Sequence, residues 1–187
     1  MRVILERSNL LKSLNHVHRV VERRNTIPIL SNVLLSAEGA SLEMKATDLD
    51  LEVTEATPAK VERGGATTVP AHLLYDIVRK LSDGAEVMLK TDEDGNAMTV
   101  TSGRSSFRLQ CLPQSDFPEL SAGSFSHIFR LDSVALKGLI EKTQFAISTE
   151  ETRYYLNGIY LHTHEVGGKL KLRSVATDGH RLARAEI

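Results

Sequence analysis

The sequence predicts an α+β protein built from two copies of one domain. Each copy carries two helices packed on antiparallel sheets, and the second copy is incomplete. Three observations lead there. Short alternating apolar and polar runs, parted by turns such as Asp94-Gly95-Asn96 and Ser102-Gly103, mark antiparallel strands joined by hairpins. Two stretches with apolar residues at helical spacing interrupt those strands. The pattern then restarts. Leu11-Lys12-Ser13-Leu14 returns as Leu136-Lys137-Gly138-Leu139 after 125 positions, Asn32-Val33-Leu34-Leu35 as Gly158-Ile159-Tyr160-Leu161 after 126, and Ala46-Thr47-Asp48 as Ala176-Thr177-Asp178 after 130. Matching blocks in the same order signify a duplicated domain, and the period is too long for a solenoid repeat.

The first copy is expected over residues 1–120. Arg2 to Glu6 forms a strand, and Ser8 or Asn9 caps a helix in which Leu10, Leu14, Val17 and Val21 share one face. Lys12, His16, Arg19 and Arg23 form a polar, mostly basic stripe on the other side, suited to a solvated face or to phosphates. Pro28 ends any helix before it, because the residue preceding proline disfavours helical torsion. Strands are expected over 29–36, 41–46, 49–54 and 66–69, with turns at Glu38-Gly39 and Gly64-Gly65 and a corner at Thr47-Asp48. A second helix carries Leu73, Leu74, Ile77, Val78 and Leu81 and stops at Asp83-Gly84. Strands follow over 86–91, 97–101 and 105–111, then an irregular connector over 114–119 and a linker at Ser121-Ala122-Gly123-Ser124.

The second copy is expected over 121–187: a strand over 126–131, a helix capped by Asp132 or Ser133, and strands over 155–164, 169–176 and from Arg181 onward. By the pattern of the first copy, it lacks its second helix and its last strands.

Composition narrows the function. Across 187 residues, Lys plus Arg number 23 and Asp plus Glu 24, a net charge of −1. Proteins that coat nucleic acid are usually basic, so any such contact must be a local basic face. The single cysteine, Cys111, permits no internal disulfide and reads as a strand residue, which fits a cytoplasmic protein. No apolar run approaches membrane-spanning length. There is no phosphate loop, nucleotide fingerprint or serine elbow.

The most informative stretch is Ala176-Thr177-Asp178-Gly179-His180-Arg181-Leu182-Ala183, a polar corner between two strands. Two readings compete. Asp178 and His180, with His162 and His164 on one side of a strand, form a metal or Asp–His reaction centre. Alternatively the corner is one wall of a site that grips a partner. Its counterpart in the first copy, Asp48-Leu49-Asp50, makes Ala-Thr-Asp part of the turn itself. Gly179, His180 and Arg181 are what distinguish the second corner, which favours the wall.

Tyr154-Tyr155-Leu156-Asn157-Gly158 followed by Ala176–Ala183 resembles the bacterial DNA polymerase III beta subunit, the sliding clamp family. Thr26-Ile27-Pro28-Ile29-Leu30, Ala66-Thr67-Thr68-Val69-Pro70, Ser102-Gly103-Arg104-Ser105 and Asp116-Phe117-Pro118 resemble its first domain. The resemblance implies a DNA-clamp fold and a non-enzymatic processivity factor: a head-to-tail homodimer ring around duplex DNA, with no cofactor, no metal and no membrane partner. Sliding needs sequence-independent phosphate contact, which Lys12, Arg19, Arg23 and Arg24 suit. By resemblance, Arg24, Tyr154 and Tyr155 contact DNA, the tyrosines suiting a template single strand. By the same resemblance, Arg153, Leu156, Thr177, Gly179, His180, Arg181 and Leu182 form one wall, and only part, of a pocket for short peptide motifs of the polymerase III alpha subunit, the clamp loader, other polymerases and repair proteins. Ile77, Phe107 and Leu109 match ring-closing contacts by resemblance, the alternative for all three being ordinary core. His72 and Glu150 depart from the family, standing where a basic and a neutral polar residue are expected. A generic scaffold without a DNA role and a metal-dependent hydrolase are the alternatives.

Overall fold

The computed structural model describes residues 1–22, 26–119 and 130–187. The chain divides into two compact units, Met1–Ala122 and Gly123–Ile187. The first runs β1 (Arg2–Glu6), α1 (Arg7–Val17), β2 (Asn32–Glu38), β3 (Ser41–Thr47), β4 (Glu52–Pro58), β5 (Lys60–Arg63), β6 (Gly65–Pro70), α2 (Ala71–Lys80), β7 (Glu86–Thr91), β8 (Ala97–Ser102) and β9 (Ser105–Gln110). The strands form two antiparallel sheets in the orders β4-β3-β2-β6 and β5-β1-β7-β8-β9.

Alternation dictates the core. Val3 and Leu5 of β1, Leu42 and Met44 of β3, Leu89 of β7 and Val100 of β8 point inward beneath Leu10, Leu14 and Val17 of α1 and Leu74 and Val78 of α2. Each fully buried aliphatic side chain contributes about 1.5–3 kcal/mol. α1 packs against α2 and across β3 and β4.

Arg7 ties the helices together. Its Nε donates to the Val78 carbonyl at 3.1 Å, which also accepts from the Leu81 N–H, and its Nη2 to the Arg79 carbonyl at 2.7 Å, so it caps the last turn of α2, and its Nη1 bonds Asp83.

Several expectations are corrected by long-range contacts. α1 has Glu6, not Ser8 or Asn9, at its N-cap, because β1 runs straight into it and the Arg7 N–H donates to the Ala85 carbonyl at 2.9 Å. α1 also ends at Val17 rather than reaching Val21. The His18 ring nitrogen engages the Leu14 carbonyl at 2.6 Å and the ring stacks on Tyr75 at 4.0 Å, turning the chain onto α2. A 3-10 turn, Pro28–Ser31, replaces the first part of the expected strand over 29–36. β4 begins at Glu52, leaving Leu49-Asp50-Leu51 inside the corner. β5, with one apolar residue, has no strand signature of its own; it exists because Val61 pairs with Val3 of β1.

In the second unit, α3 (Ser133–Glu141) starts where Asp132 was expected to cap it, the carboxylate accepting from the Val134 and Ala135 N–H groups at 2.9 and 3.1 Å. β10 (Tyr160–Val166), β11 (Lys169–Thr177) and β12 (Leu182–Glu186) form one antiparallel sheet in that order. Ser174 of β11 donates to the Leu139 carbonyl at 3.1 Å and so joins helix to sheet. β10 starts five residues later than expected. Glu151–Leu156 instead makes 3-10 turns, held where the Ser148 N–H donates to the Leu156 carbonyl at 3.1 Å. The expected strand over 126–131 lies outside the described residues, apart from its last two, which are irregular.

Candidate functional site

The corner between β11 and β12 is built around the Asp178 carboxylate. Its Oδ1 accepts from the His180 and Arg181 N–H groups at 3.0 and 2.9 Å, and its Oδ2 accepts from Arg181 Nε at 2.9 Å. Hydrogen bonds from the Arg181 and His180 backbone hold its pKa down at about 2. A carboxylate so occupied closes a turn and is a poor general base. Thr177 completes the loop, its hydroxyl donating to the Arg181 carbonyl at 2.7 Å and accepting from the Gly179 N–H at 3.1 Å. Among the described residues no three His, Cys, Asp or Glu side chains gather as metal ligands, so His162, His164 and His180 are not brought together. His162 instead stacks on Tyr160, ring centroids 4.9 Å apart.

Gly179 shows why this corner needs glycine. Its φ is +88°, and a Cβ there would lie 3.0 Å from Nη1 of Arg153. The Arg153 guanidinium therefore reaches over the corner backbone, while its Nε pairs with Glu150 at 3.1 Å. The Arg181 guanidinium lies 5.6 Å from the centroid of the Phe145 ring. Beside Thr177 a cleft of about 90 Å³ is floored by Leu156, Tyr160, Val175 and Ala176, with Tyr155 at its edge. The structure thus brings Arg153, Leu156, Thr177, Gly179 and Arg181 into one neighbourhood, with His180 and the exposed Leu182 on the same corner. Sequence reasoning missed Phe145, Tyr160 and Val175. The alternation in β10 and β11 marked Tyr160 and Val175 as sharing a face; nothing in the sequence pointed Phe145 at Arg181.

The first copy has the same turn with different side chains. Asp48 Oδ1 accepts from the Asp50 and Leu51 N–H groups at 3.0 and 2.7 Å, and Leu49 takes φ +81° where Gly179 takes +88°. The duplicated Ala-Thr-Asp is thus a structural turn, which a non-glycine residue completes in the first copy.

Of the basic candidates, Lys12 and His16 are exposed on α1 and Arg19 lies in the turn after it, so one continuous helical stripe to Arg23 does not form. Arg23 and Arg24 lie outside the described residues. The stripe also has an acidic neighbour, since His16 Nδ1 meets Glu55 Oε1 at 2.6 Å. His72 does not point to solvent alone: its Nε2 engages the Val21 carbonyl at 2.7 Å. Tyr154 and Tyr155 project from the 3-10 turns with their rings edge to face, 5.8 Å between centroids.

The interface candidates separate. Ile77 and the exposed Phe107 line a 230 Å³ hollow between α2 and the edge strand β9, together with Leu73 and Leu81. Leu109 is corrected: at 1% exposure it belongs to the core beneath β9, because alternation sends it inward from the face of Arg108. Its side chain offers a partner no surface. Cys111 is likewise buried, and that burial pushes its thiol pKa up.

Comparison with known proteins agrees with this arrangement. The family described as DNA polymerase III beta subunit, N-terminal domain, matches residues 1–121, and its central domain matches residues 130–187. The chain is 56% identical over its whole length to the beta sliding clamp of Caulobacter vibrioides (strain NA1000 / CB15N), covering 50% of that protein. It is 43% identical to the beta sliding clamp of Escherichia coli (strain K12), with 98% of this chain and 49% of that one covered. A crystal structure of the Bartonella birtlesii sliding clamp bound to griselimycin superimposes with a TM-score of 0.93 at 60% identity, over 100% of this chain and 50% of that one. The chain thus spans about half the length of the curated relatives it matches. The two-sheet first unit with α1 packed against α2, the repeated Asp-cornered turn and both family matches lead to one assignment: the chain belongs to the DNA polymerase III beta subunit family, the sliding clamps.

Proposed function

We propose that this chain serves as a processivity factor, part of a ring-shaped homodimer that encircles duplex DNA and tethers the replicative polymerase and other replication and repair proteins. Residues 1–120 act as the first clamp domain and 121–187 belong to the second. The protein works as an accessory subunit and not as a catalyst. The observation that carries the docking role is the Asp178–Arg181 corner with the Arg153 guanidinium over Gly179, beside the Tyr155–Leu156–Tyr160 cleft. A short peptide finds there an apolar floor for an anchor side chain, and guanidinium and imidazole donors at the rim. The Bartonella birtlesii and Pseudomonas aeruginosa clamps, each solved with griselimycin bound, support a ligand-accepting surface on this fold.

On the DNA side, Lys12 and Arg19, with Arg23 and Arg24 beyond the described turn, supply phosphate contacts without reading bases, and Tyr154 and Tyr155 stack on unpaired template. Ile77 and Phe107 contribute to ring closure, the backbone of β9 offering unpaired groups at the sheet edge. Two experiments test the reading in the intact protein. Charge reversal at Lys12, Arg19, Arg23 and Arg24 should shorten retention on circular primed DNA, and unchanged retention would remove the DNA role from that face. Leu156→Asp should weaken capture of the polymerase's clamp-binding peptide, whereas full affinity would remove docking from the corner.

A further inference from the structure

We propose that the first unit carries its own copy of the docking cup and that Phe117 keeps it shut. The duplication sets the equivalence residue by residue. Leu34 of β2 pairs with Lys45 of β3, and Tyr160 of β10 pairs with Val175 of β11. The offsets of 126 and 130 positions superpose Leu34 on Tyr160 and Lys45 on Val175. A 3-10 turn enters the strand in each copy, Pro28–Ser31 and Glu151–Leu156, so Ile29 and Leu30 take the places of Tyr155 and Leu156.

In the first unit this cup is covered. Ile29 and Leu30 are buried in a cluster with Phe117, against which Leu34 and Leu112 pack, and Phe117 is only 6% exposed. The connector delivers that ring. A 3-10 turn, Gln114–Asp116, presents it, with the Phe117 N–H donating to the Gln114 carbonyl at 3.0 Å. Upstream the connector is pinned where the Thr68 hydroxyl donates to the Leu112 carbonyl at 2.8 Å, while the hydroxyl oxygen itself accepts from Asn32 Nδ2 at 3.0 Å. A groove of about 410 Å³ still runs beside the ring, past Leu34, Lys45, Gln114 and Ser115.

Phe117 therefore occupies the cup as a resident anchor, in the place where a docking peptide would seat its own large apolar side chain in the second unit. An anchor tethered by so short a segment acts at an effective concentration on the order of millimolar, so a free peptide of micromolar supply does not displace it. Phe117 thereby keeps a docking peptide out of the first unit's cup. The inference rests on the docking reading of the second unit only for the class of ligand.

The test uses the pentapeptide of residues 115–119, Ser-Asp-Phe-Pro-Glu, titrated against the intact protein and its variants by calorimetry and thermal unfolding. Phe117→Ala should bind one more equivalent per chain than the wild type at millimolar peptide, and the peptide should raise its unfolding temperature. Phe117→Leu, which refills the cup, should gain nothing, and Leu34→Arg added to Phe117→Ala should abolish the gain. If Phe117→Ala does not fold, Phe117→Val is scored in its place. A folded truncation that takes up no more peptide than the wild type overturns the proposal, as does an extra equivalent that survives Leu34→Arg. Because the gain is read against the wild type, it stands apart from the Leu156→Asp result, which reports on the second unit alone.

Discussion

Replacing Gly179 with alanine separates the turn's stability from the corner's role in binding. The φ of +88° places any Cβ in the left-handed region, at a cost of roughly 1–2 kcal/mol. The smaller unfolded-state entropy of alanine returns about 0.4–1 kcal/mol. Net destabilisation of about 1 kcal/mol follows, or about 2–4 °C in unfolding temperature for a protein of this size. Leu49 tolerates φ +81° in the matching turn of the first unit, so the fold survives the change. The larger effect is local. The new Cβ would sit 3.0 Å from Arg153 Nη1, and the long side chain yields more cheaply than the backbone, so the guanidinium moves off the corner. Losing one rim contact of about 1 kcal/mol weakens a bound peptide about 5-fold. The assay is a double-mutant cycle in peptide affinity with Arg153→Ala. Gly179→Ala should cost little once Arg153 is gone. Additive losses, or unchanged affinity in Gly179→Ala, would refute a corner that works through Arg153.

Three further outcomes follow from the same structure. Leu14→Ala, at a fully buried position between α1 and the sheets, should cost about 3 kcal/mol in urea unfolding. Asp132→Ala should cost about 1 kcal/mol by exposing two N–H groups at the start of α3, read as lower hydrogen-exchange protection there. Asp178 has a folded pKa of about 2, below its ordinary value of 3.8, so its contribution to stability is fully present above pH 3.8 and lost as pH falls through about 2. Asp178→Asn should therefore flatten the wild type's loss of stability across that window, measured by denaturant unfolding at stepped pH.

Much of the site was legible before the structure. Asp178-Gly179 between two alternating runs marked a corner, and the corresponding Asp48-Leu49 revealed it as a turn of the fold and not a reaction centre. What the pattern did not show was Arg153 over Gly179, because that contact joins a 3-10 turn to a hairpin 26 positions later. The basic stripe was overextended for a related reason. Helical spacing continued to Arg23, but the competing contacts of His18 with Leu14 and Tyr75 ended α1 at Val17.

The sequence by itself determined what depends on neighbouring residues: the hairpins at Asp94-Gly95-Asn96 and Ser102-Gly103, the capping of α3 by Asp132, and the duplication of the Ala-Thr-Asp corner. These are short-range effects of alternation, turn torsion and orphan N–H groups, and they are written locally. Tertiary structure decided what depends on pairing and burial. Val61 becomes a strand residue only because Val3 lies opposite it. Leu109 is core while Phe107, two residues earlier and on the same side of a regular strand, is 39% exposed at the sheet edge. Phe117 closes one cup because the connector returns to Leu30 across nearly ninety positions of chain. Such contacts reflect which surfaces are left to cover once the sheets have formed, and no local pattern encodes that.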